Sequence, residues 1–556
     1  MMTKSLRNTE VVDVIGVGIG PSNLSLAALL SPIKNISSCF YDRNDSFSWH
    51  PGMLLPDSEI QVNYLNDLVT LVDPTNPFSF IAYLAKHKRL YRFINAQFKY
   101  VLRSEFSQYL NWVSQSLSNL FFNEEVIDVC FDHSHFSMQT TKRIIKGKHL
   151  VLGNGLTARI PSCAKSCLGK TVFHNSEYLH KSPNWYGKSI AIIGGGQSGA
   201  EIVHSILSHS DGLPEKLTWI SRRNQLLPMD TSPFVNEFFT PNYTNHFYQF
   251  TSETKSRLLQ EQLLASDGIS EDLLRTIYQK LYRIEFLENK GQFFQFLAKS
   301  QIINIERAFG THQFILVVED LESENKQIIP ADIIILCTGY EWTFPPYLSS
   351  LSNQIPLHNN RFYINHDFSI QWDGPNQNRI YVQNGARHSH GIADPNLNIM
   401  AWRSATIINS IIQKPIYNLS SESSALSWEP RLSLKIRNVN MLQSPNLISH
   451  PKPQLNFSTG EEIAPGVVVN PIDFSFNQIK PPFNSTVFHL SPGSQTTLDS
   501  HREKEIWIVL EGSGILIYEG LSFILKSQEA FFFPPFKTHQ AVNNTENLLF
   551  ICSIYW

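Results

Sequence analysis

Residues 11–30 read VVDVIGVGIGPSNLSLAALL, and no other stretch restricts the fold of this chain so tightly. An apolar strand runs from Val11 to Ile15 and breaks at Gly16, Gly18 and Gly20. Gly16 and Gly18 allow a tight turn and let a pyrophosphate approach the backbone, and SNLSLAALL continues as a helix whose first amides face that phosphate. The next strand, SCFYDRN, ends in Asp42, an acid where the ribose hydroxyl of a bound dinucleotide needs an acceptor. Strand, turn, helix and acid in this order make an ordinary glycine turn the weaker reading and a βαβ nucleotide cradle the stronger one.

The pattern returns in KSIAIIGGGQSGAEIVHSIL, with a strand over 189–193, glycines Gly194, Gly195, Gly196 and Gly199, and a helix starting near Ser198. Two cradles imply two dinucleotides. Here the following strand, LTWIS, ends in Arg222 and Arg223 instead of an acid. A guanidinium pair suits the ribose phosphate of NADPH better than the bare hydroxyl of NADH; the alternative is a solvated strand end. A third strand, ADIIILCTGY, ends in Thr338, Gly339 and Tyr340, a glycine turn suited to returning the chain to the first fold. The expected α/β architecture is therefore a Rossmann-like fold over 1–167, a second one inserted over 168–330, and the first resumed over 331–415.

Composition narrows the partners. At 556 residues the chain has room for about two to four domains. Lys and Arg number 45 against 48 Asp and Glu, a net charge of -3 with no block of like charge, which argues against nucleic acid and an anionic membrane surface. The polar start MMTKSLRNTE and the absence of a run of about 18 apolar residues point to a soluble, cytoplasmic protein with a small-molecule partner. The 6 cysteines are scattered; Cys163 and Cys167 have the wrong spacing for a zinc or redox pair, and reduced, mostly buried thiols are expected.

These motifs, together with FSWHPGMLL, QVNYLNDLVTLVDPTNPFSFIAYL, GNG, NEFFTP, SDGIS, CTGY and HGIADPNLNIMAWRSATIINS in the same order, resemble the flavin-dependent N-hydroxylating monooxygenases, the lysine and ornithine N-monooxygenases of siderophore biosynthesis. The resemblance spans residues 10–415. The family's flavin turn reads Gly-x-Gly-x-Gly-Pro-x-Asn, so Pro21 and Asn23 belong to it. The resemblance implies an FAD site built from Gly16, Gly18, Gly20, Pro21, Ser22, Asn23 and Asp42, with Trp49, His50 and Met53 along the isoalloxazine. It adds Gln61, Thr338, Gly339, Asp394, Pro395 and Leu397 to that site. It assigns Gly194, Gly195, Gly196, Gln197, Ser198, Gly199, Arg222, Arg223 and Tyr340 to NADPH. It further implies that reduced flavin forms a hydroperoxide with oxygen, that a neutral primary amine attacks it, and that the protein is a homo-oligomer, often a tetramer in this family. Such chemistry needs a dry pocket and an anchor that places the amine.

By the same resemblance, Gln61, Asn66 and Asn236 fall near flavin, nicotinamide or substrate. The family's FLKDLV offers a lysine to a substrate carboxylate, whereas this chain reads YLNDLV with Asn66 there. An amide donates hydrogen bonds but does not neutralise a carboxylate. Either other groups hold the carboxylate or the substrate is a decarboxylated diamine such as cadaverine or putrescine. SDGIS and HGIADPNLNIMAWRSA look more like the lysine than the ornithine branch, which ranks L-lysine first, a diamine second and L-ornithine behind them.

Beyond residue 415 the text turns rich in Ser, Pro and Asn, the composition of a linker over 416–465. From 466 to 556 short β-rich runs alternate with turns, as in a small barrel or jelly roll. GSQTTLDSHREKEIWIVLEG and PPFKTHQAVN resemble the two cupin motifs: Gly493, His501, Glu505, Gly512, Pro534, His539 and Asn543 keep the family's spacing. Asp499 replaces the first metal-binding histidine, and Gln528 and Phe536 replace glycines of the second motif. On one strand, Asp499 and His501 would point the same way, with Glu505 and His539 converging on them to hold divalent zinc, iron or manganese; a metal-free cupin is the alternative. By analogy with cupins fused to tRNA-synthetase-like domains, this one is expected to act on the hydroxylated product, for example in nitrogen-nitrogen bond formation, with a synthetase-like partner. Two rival classes are weighed: another flavoprotein with the same two nucleotide folds, either a sulfur- or carbon-oxidising monooxygenase or a disulfide reductase, whose Cys-x-x-Cys pair is missing here, and a metabolite-sensing cupin on a degenerate flavoprotein, which conflicts with the intact glycine turns.

Overall fold

The computed structural model describes residues 11–181, 184–210, 212–420, 424–428, 456–457, 460–473 and 483–556. Much of the expected linker lies outside these residues. The chain divides into two compact units, Met1–Ser433 and Leu434–Trp556.

In the first unit the strand Val11–Val17 runs parallel to Ser38–Tyr41 on one side and to Ile144–Leu152 on the other, at the centre of a seven-stranded sheet. The following helix, Pro21–Leu30, is apolar on nearly every side and accordingly buried from Asn23 to Leu30. It packs against the helix Met400–Ile412, whose own apolar face closes the core of this fold. The late strand Ile380–Val382 also joins this sheet, parallel to Ile144–Leu152, so the fold is assembled from both ends of the unit.

The second fold is a five-stranded, all-parallel sheet in the order Phe294–Leu297, Lys216–Ile220, Ser189–Ile193, Ile333–Leu336 and Val172–His174. This corrects the expected boundary at 331. The strand Ile333–Leu336 is buried along its whole length because it has parallel neighbours on both sides, and it completes the second sheet instead of reopening the first. The return follows it: Tyr340–Glu341 pairs antiparallel with Thr157–Ala158, so outgoing and returning chain cross side by side. A three-stranded antiparallel sheet, Ser300–Arg307, Phe314–Asp320 and Lys326–Ala331, covers one face of the second fold.

The C-terminal unit has a seven-stranded and a three-stranded antiparallel sheet around a core that includes Phe488, Trp507, Val509, Phe533 and Ile551. It begins before residue 466, since Glu461–Ala464 already pairs with Val467–Asp473. None of the 6 cysteines is in a disulfide, but only Cys39 and Cys337 are buried and Cys130 is exposed, so the expectation of mostly buried thiols is corrected. Among the described residues no helix is long and apolar enough to cross a membrane.

Candidate active site

The first glycine turn has its tightest point at Gly18, where φ is +84° and a side chain would strike the Gly153 carbonyl. Gly16 lies beneath the Phe40 ring. Gly20 caps the Pro21–Leu30 helix in an extended conformation, with Pro21 in the first turn and no side chain capping the helix amides. Nothing lies within 4 Å of where a Gly20 Cβ would stand. Asp42 accepts hydrogen bonds from the Ile19 amide at 2.7 Å and the Asn44 amide at 2.8 Å, which fixes it beside the turn.

Asn23 is fully buried and ties the turn together, donating to the Val17 and Gly18 carbonyls at 3.1 and 2.8 Å and accepting from Gln383 at 3.0 Å. Ser22 Oγ accepts from Arg403 at 2.9 Å. Arg403 in turn pairs at 2.7 Å with Asp394, both side chains being 1% exposed. The other Asp394 oxygen accepts the Ala386 amide at 2.7 Å. Expected as a flavin contact, the Asp394 side chain thus faces Arg403 and acts on the turn through it. Gln383 and Arg403 went unread in the sequence, although a lone arginine inside MAWRSATII was a signal.

The second turn places Gly194, at φ +127°, against the Cys337 carbonyl, Gly195 against Ser221, and Gly199 against Trp219. Gly196 caps the helix Gln197–Leu207, again with no side-chain cap and nothing within 4 Å of a Cβ position. At the end of the following strand the two arginines part company. Arg223 donates to the Asp267 carbonyl at 2.9 Å, while Arg222 is exposed. Arg222→Ala is therefore expected to raise the KM for NADPH about 10- to 100-fold, the loss of a charge-assisted phosphate contact, while the KM for NADH stays within about 2-fold. Steady-state oxidation of both nucleotides checks this; equal loss for both would leave Arg222 without a phosphate role.

Residues of both nucleotide folds line a cleft of ≈ 230 Å³. Trp49, His50, Met53, Gln61, Ser198, Tyr340, Pro395 and Leu397 all line it, joined by Glu59, Arg103 and Asn175, which sequence reasoning missed. A hydrogen-bonded chain runs along one wall. Gln61 Nε2 donates to Ser270 Oγ at 3.1 Å, the Ser270 amide to Gln197 Oε1 at 2.9 Å, and Gln197 Nε2 to Glu201 Oε1 at 3.1 Å. Glu201 receives both guanidinium nitrogens of Arg103, at 2.7 and 3.1 Å, and Arg103 also donates to the Met53 carbonyl at 2.9 Å. The wall thus joins the two nucleotide folds. Gly339 accepts from the His174 ring at 3.0 Å, and Thr338 donates to the Arg159 carbonyl, which places both at the strand crossing outside the cleft lining. Asn66 donates to Asn398 Oδ1 at 2.6 Å, next to the cleft residue Leu397. Asn236 is exposed, bonded to the Thr231 carbonyl at 3.3 Å, and is not brought into the cleft.

In the C-terminal unit, His501, Glu505 and His539 bring one ligand atom each to within 4.8 Å of one another. Glu505 Oε2 lies 3.0 Å from His501 Nε2 and 2.7 Å from His539 Nε2. Its Oε1 accepts from Trp507 at 2.8 Å and from Ser553. Burial alone would raise the Glu505 carboxyl, but hydrogen bonds from His539, Ser553, Trp507 and His501 hold it at about 2. Asp499 is not part of this group, a correction to the four-ligand expectation. It sits at an isolated bridge to His539 and not on a strand with His501, is exposed, and accepts from the Ser500 amide at 2.7 Å.

A family model described as L-lysine 6-monooxygenase/L-ornithine 5-monooxygenase matches residues 10–342, and a cupin domain model matches residues 486–555. An L-lysine N6-monooxygenase from Escherichia coli is 39% identical over 421 residues, covering 75% of this chain and 98% of that relative. A putrescine N-hydroxylase from Acinetobacter baumannii is 30% identical, covering 76% of this chain and 95% of its own. Among solved structures, the cadaverine monooxygenase of the desferrioxamine biosynthetic pathway from Erwinia amylovora, bound to FAD, matches with a TM-score of 0.71 at 27% identity, over 75% of this chain and 98% of that one.

Proposed function

The chain belongs to the L-lysine 6-monooxygenase/L-ornithine 5-monooxygenase family, and on that premise we propose that it uses FAD and NADPH to hydroxylate the terminal amine of L-lysine. One observation carries the reading: a single cleft lined from both glycine-turn folds, where two cofactors and a small amine can meet. The turns fit such cofactors. Gly20 and Gly196 each leave open the space a Cβ would fill, at helix N-termini whose amides no side chain occupies. Bound FAD, reduced by NADPH, supplies the activation of oxygen. The protein's part is to bind, orient and keep dry. Trp49, Met53, Ile60 and Val62 contribute the apolar part of the cleft lining, which would help to keep water from the reacting group once the cofactors fill it. Gln61 is held in place by Ser270, and the Arg103–Glu201 pair fixes one nucleotide fold against the other.

Lysine ranks first on the relative with the highest identity reported above. A second reading, a decarboxylated diamine such as cadaverine, is favoured by the charge around the cleft. Arg103, the one guanidinium in its lining among the described residues, is already neutralised by Glu201, Asn66 is engaged with Asn398, and Glu59 adds a carboxylate suited to a second ammonium. A panel of lysine, ornithine, cadaverine and putrescine, scored by hydroxylamine formed, separates the two. If the substrate is a diamine, Asn66→Lys should shift kcat/KM toward lysine by about 10-fold or more, the worth of one charge-assisted hydrogen bond. No hydroxylamine from any of the four would remove the proposal.

For the C-terminal unit we propose a divalent ion held by His501, Glu505 and His539, a donor set of two imidazoles and a carboxylate suited to zinc, iron or manganese. This unit would act on the hydroxylated amine released by the first. Titration of metal-stripped protein with each ion should give one site per chain, lost in His539→Ala. Binding unchanged in that variant, or products identical by mass spectrometry in Glu505→Gln, would dismiss the respective part.

A further inference from the structure

Asn175 opens a short turn, Asn175–Glu177, directly after the edge strand Val172–His174. Its side chain is 1% exposed, and neither its Nδ2 nor its Oδ1 has a hydrogen-bond partner. A buried primary amide with both ends unmet is unusual, because its lost hydration is uncompensated. The Tyr340 hydroxyl stands close to it, but the pair does not reach hydrogen-bonding geometry.

The backbone around Asn175 leaves the amide no easy escape. Its carbonyl accepts the Tyr178 amide, and His174 Nδ1 lies 3.0 Å from Ser176 Oγ. The Ser176 carbonyl packs so closely on Gly52 that no side chain would fit there, which pins the turn against Pro51–Met53. Asn175 is one of the residues that line the cleft with Trp49, His50, Met53, Ser198 and Tyr340.

We propose that Asn175 receives the amide edge of a bound cofactor in this cleft and so positions the reacting ring. A primary amide offers donors and acceptors side by side, and its natural complement is another amide or imide. Both cofactors of the proposed function carry one: the pyrimidine edge of the flavin and the carboxamide of the nicotinamide. The inference rests on that proposed function for the identity of the ligands, but not for the unmet amide itself.

Asn175→Leu keeps the approximate shape and removes both polar ends; Asn175→Ala guards against a steric effect of leucine. In cofactor-free protein the leucine variant is expected to melt at or above the wild-type temperature, because an unmet polar group is gone. Cofactor affinity should fall about 10-fold in both variants. Flavin fluorescence on adding FAD to apoprotein reads one source, and the spectral change on adding NADP+ to the oxidised FAD-bound protein reads the other. Weakened FAD binding assigns Asn175 to the flavin, and weakened NADP+ binding with intact FAD binding assigns it to the nicotinamide. If both affinities stay within about 2-fold of wild type, no cofactor meets the amide and the inference is overturned. A wild-type protein that binds neither cofactor would instead remove the proposed function, a result seen before any variant is made.

Discussion

Asp394→Ala is expected to cost the first unit about 3–5 kcal/mol of unfolding free energy, the usual consequence of stripping one partner from a buried ion pair. Arg403 and Asp394 are each 1% exposed, and the guanidinium has no route to water. Arginine does not shed its proton to escape the cost, as a lysine would. The charge left behind would still meet the Asp394 carbonyl, Gln383 and Ser22, all dipoles and none a counter-ion. Because Ser22 lies in the first turn of the glycine-turn helix, the damage should extend to flavin retention. Urea unfolding followed by tryptophan fluorescence measures the effect. The double variant Asp394→Leu, Arg403→Met should recover most of the loss, since packed apolar groups replace a buried pair at little cost. A single-variant loss below about 1 kcal/mol, typical of exposed pairs, would mean that Arg403 finds another way to be solvated.

Gly20→Val should have the opposite profile, a folded protein that does not hold flavin. At φ -83° and ψ 178° the residue has an extended conformation open to any side chain, and no protein atom lies within 4 Å of its Cβ position. The protein itself therefore has no objection to valine. Only a ligand drawn onto the helix amides would collide with it, and FAD affinity should fall by about 100-fold or more. Gly18→Val is the control that fails differently. Its φ of +84° and its contact with the Gly153 carbonyl make the substitution a folding defect. Melting temperature and flavin content of the two variants, measured together, distinguish the causes. Normal flavin content in Gly20→Val would rule out the turn as the phosphate site.

Local chemistry explains what was legible in the sequence. Each glycine turn is written within about 20 residues, strand, turn and helix in one reading frame. What escaped was written across the chain. Asn23 and Gln383 are 360 positions apart, Ser22 and Arg403 381 apart, and no periodicity links them. Arg103 and Glu201 meet only because two folds pack face to face. The strand Ile333–Leu336 reads the same whichever sheet receives it, since a buried parallel strand is apolar on both faces. In the C-terminal unit the substitutions at glycine positions hide a backbone that kept its shape, with Gln528 at φ +73° and Phe536 at +64°. Asp499 stands apart from His501, Glu505 and His539 for a geometric reason: spacing by two puts side chains on one side only within a strand, and the chain there is not one.

The way the first nucleotide fold is closed from both ends sets the order in which this protein matures on the ribosome. Its opening strand and helix emerge early, but the arginine that secures them follows 381 positions later, roughly 20–75 s of synthesis at ordinary elongation speeds. Over that interval the inner fold receives its last strand while the outer one waits with apolar surface uncovered. A transcript cut short before codon 403 would release a finished inner domain on an unfinished outer one, prone to aggregation and to chaperone capture.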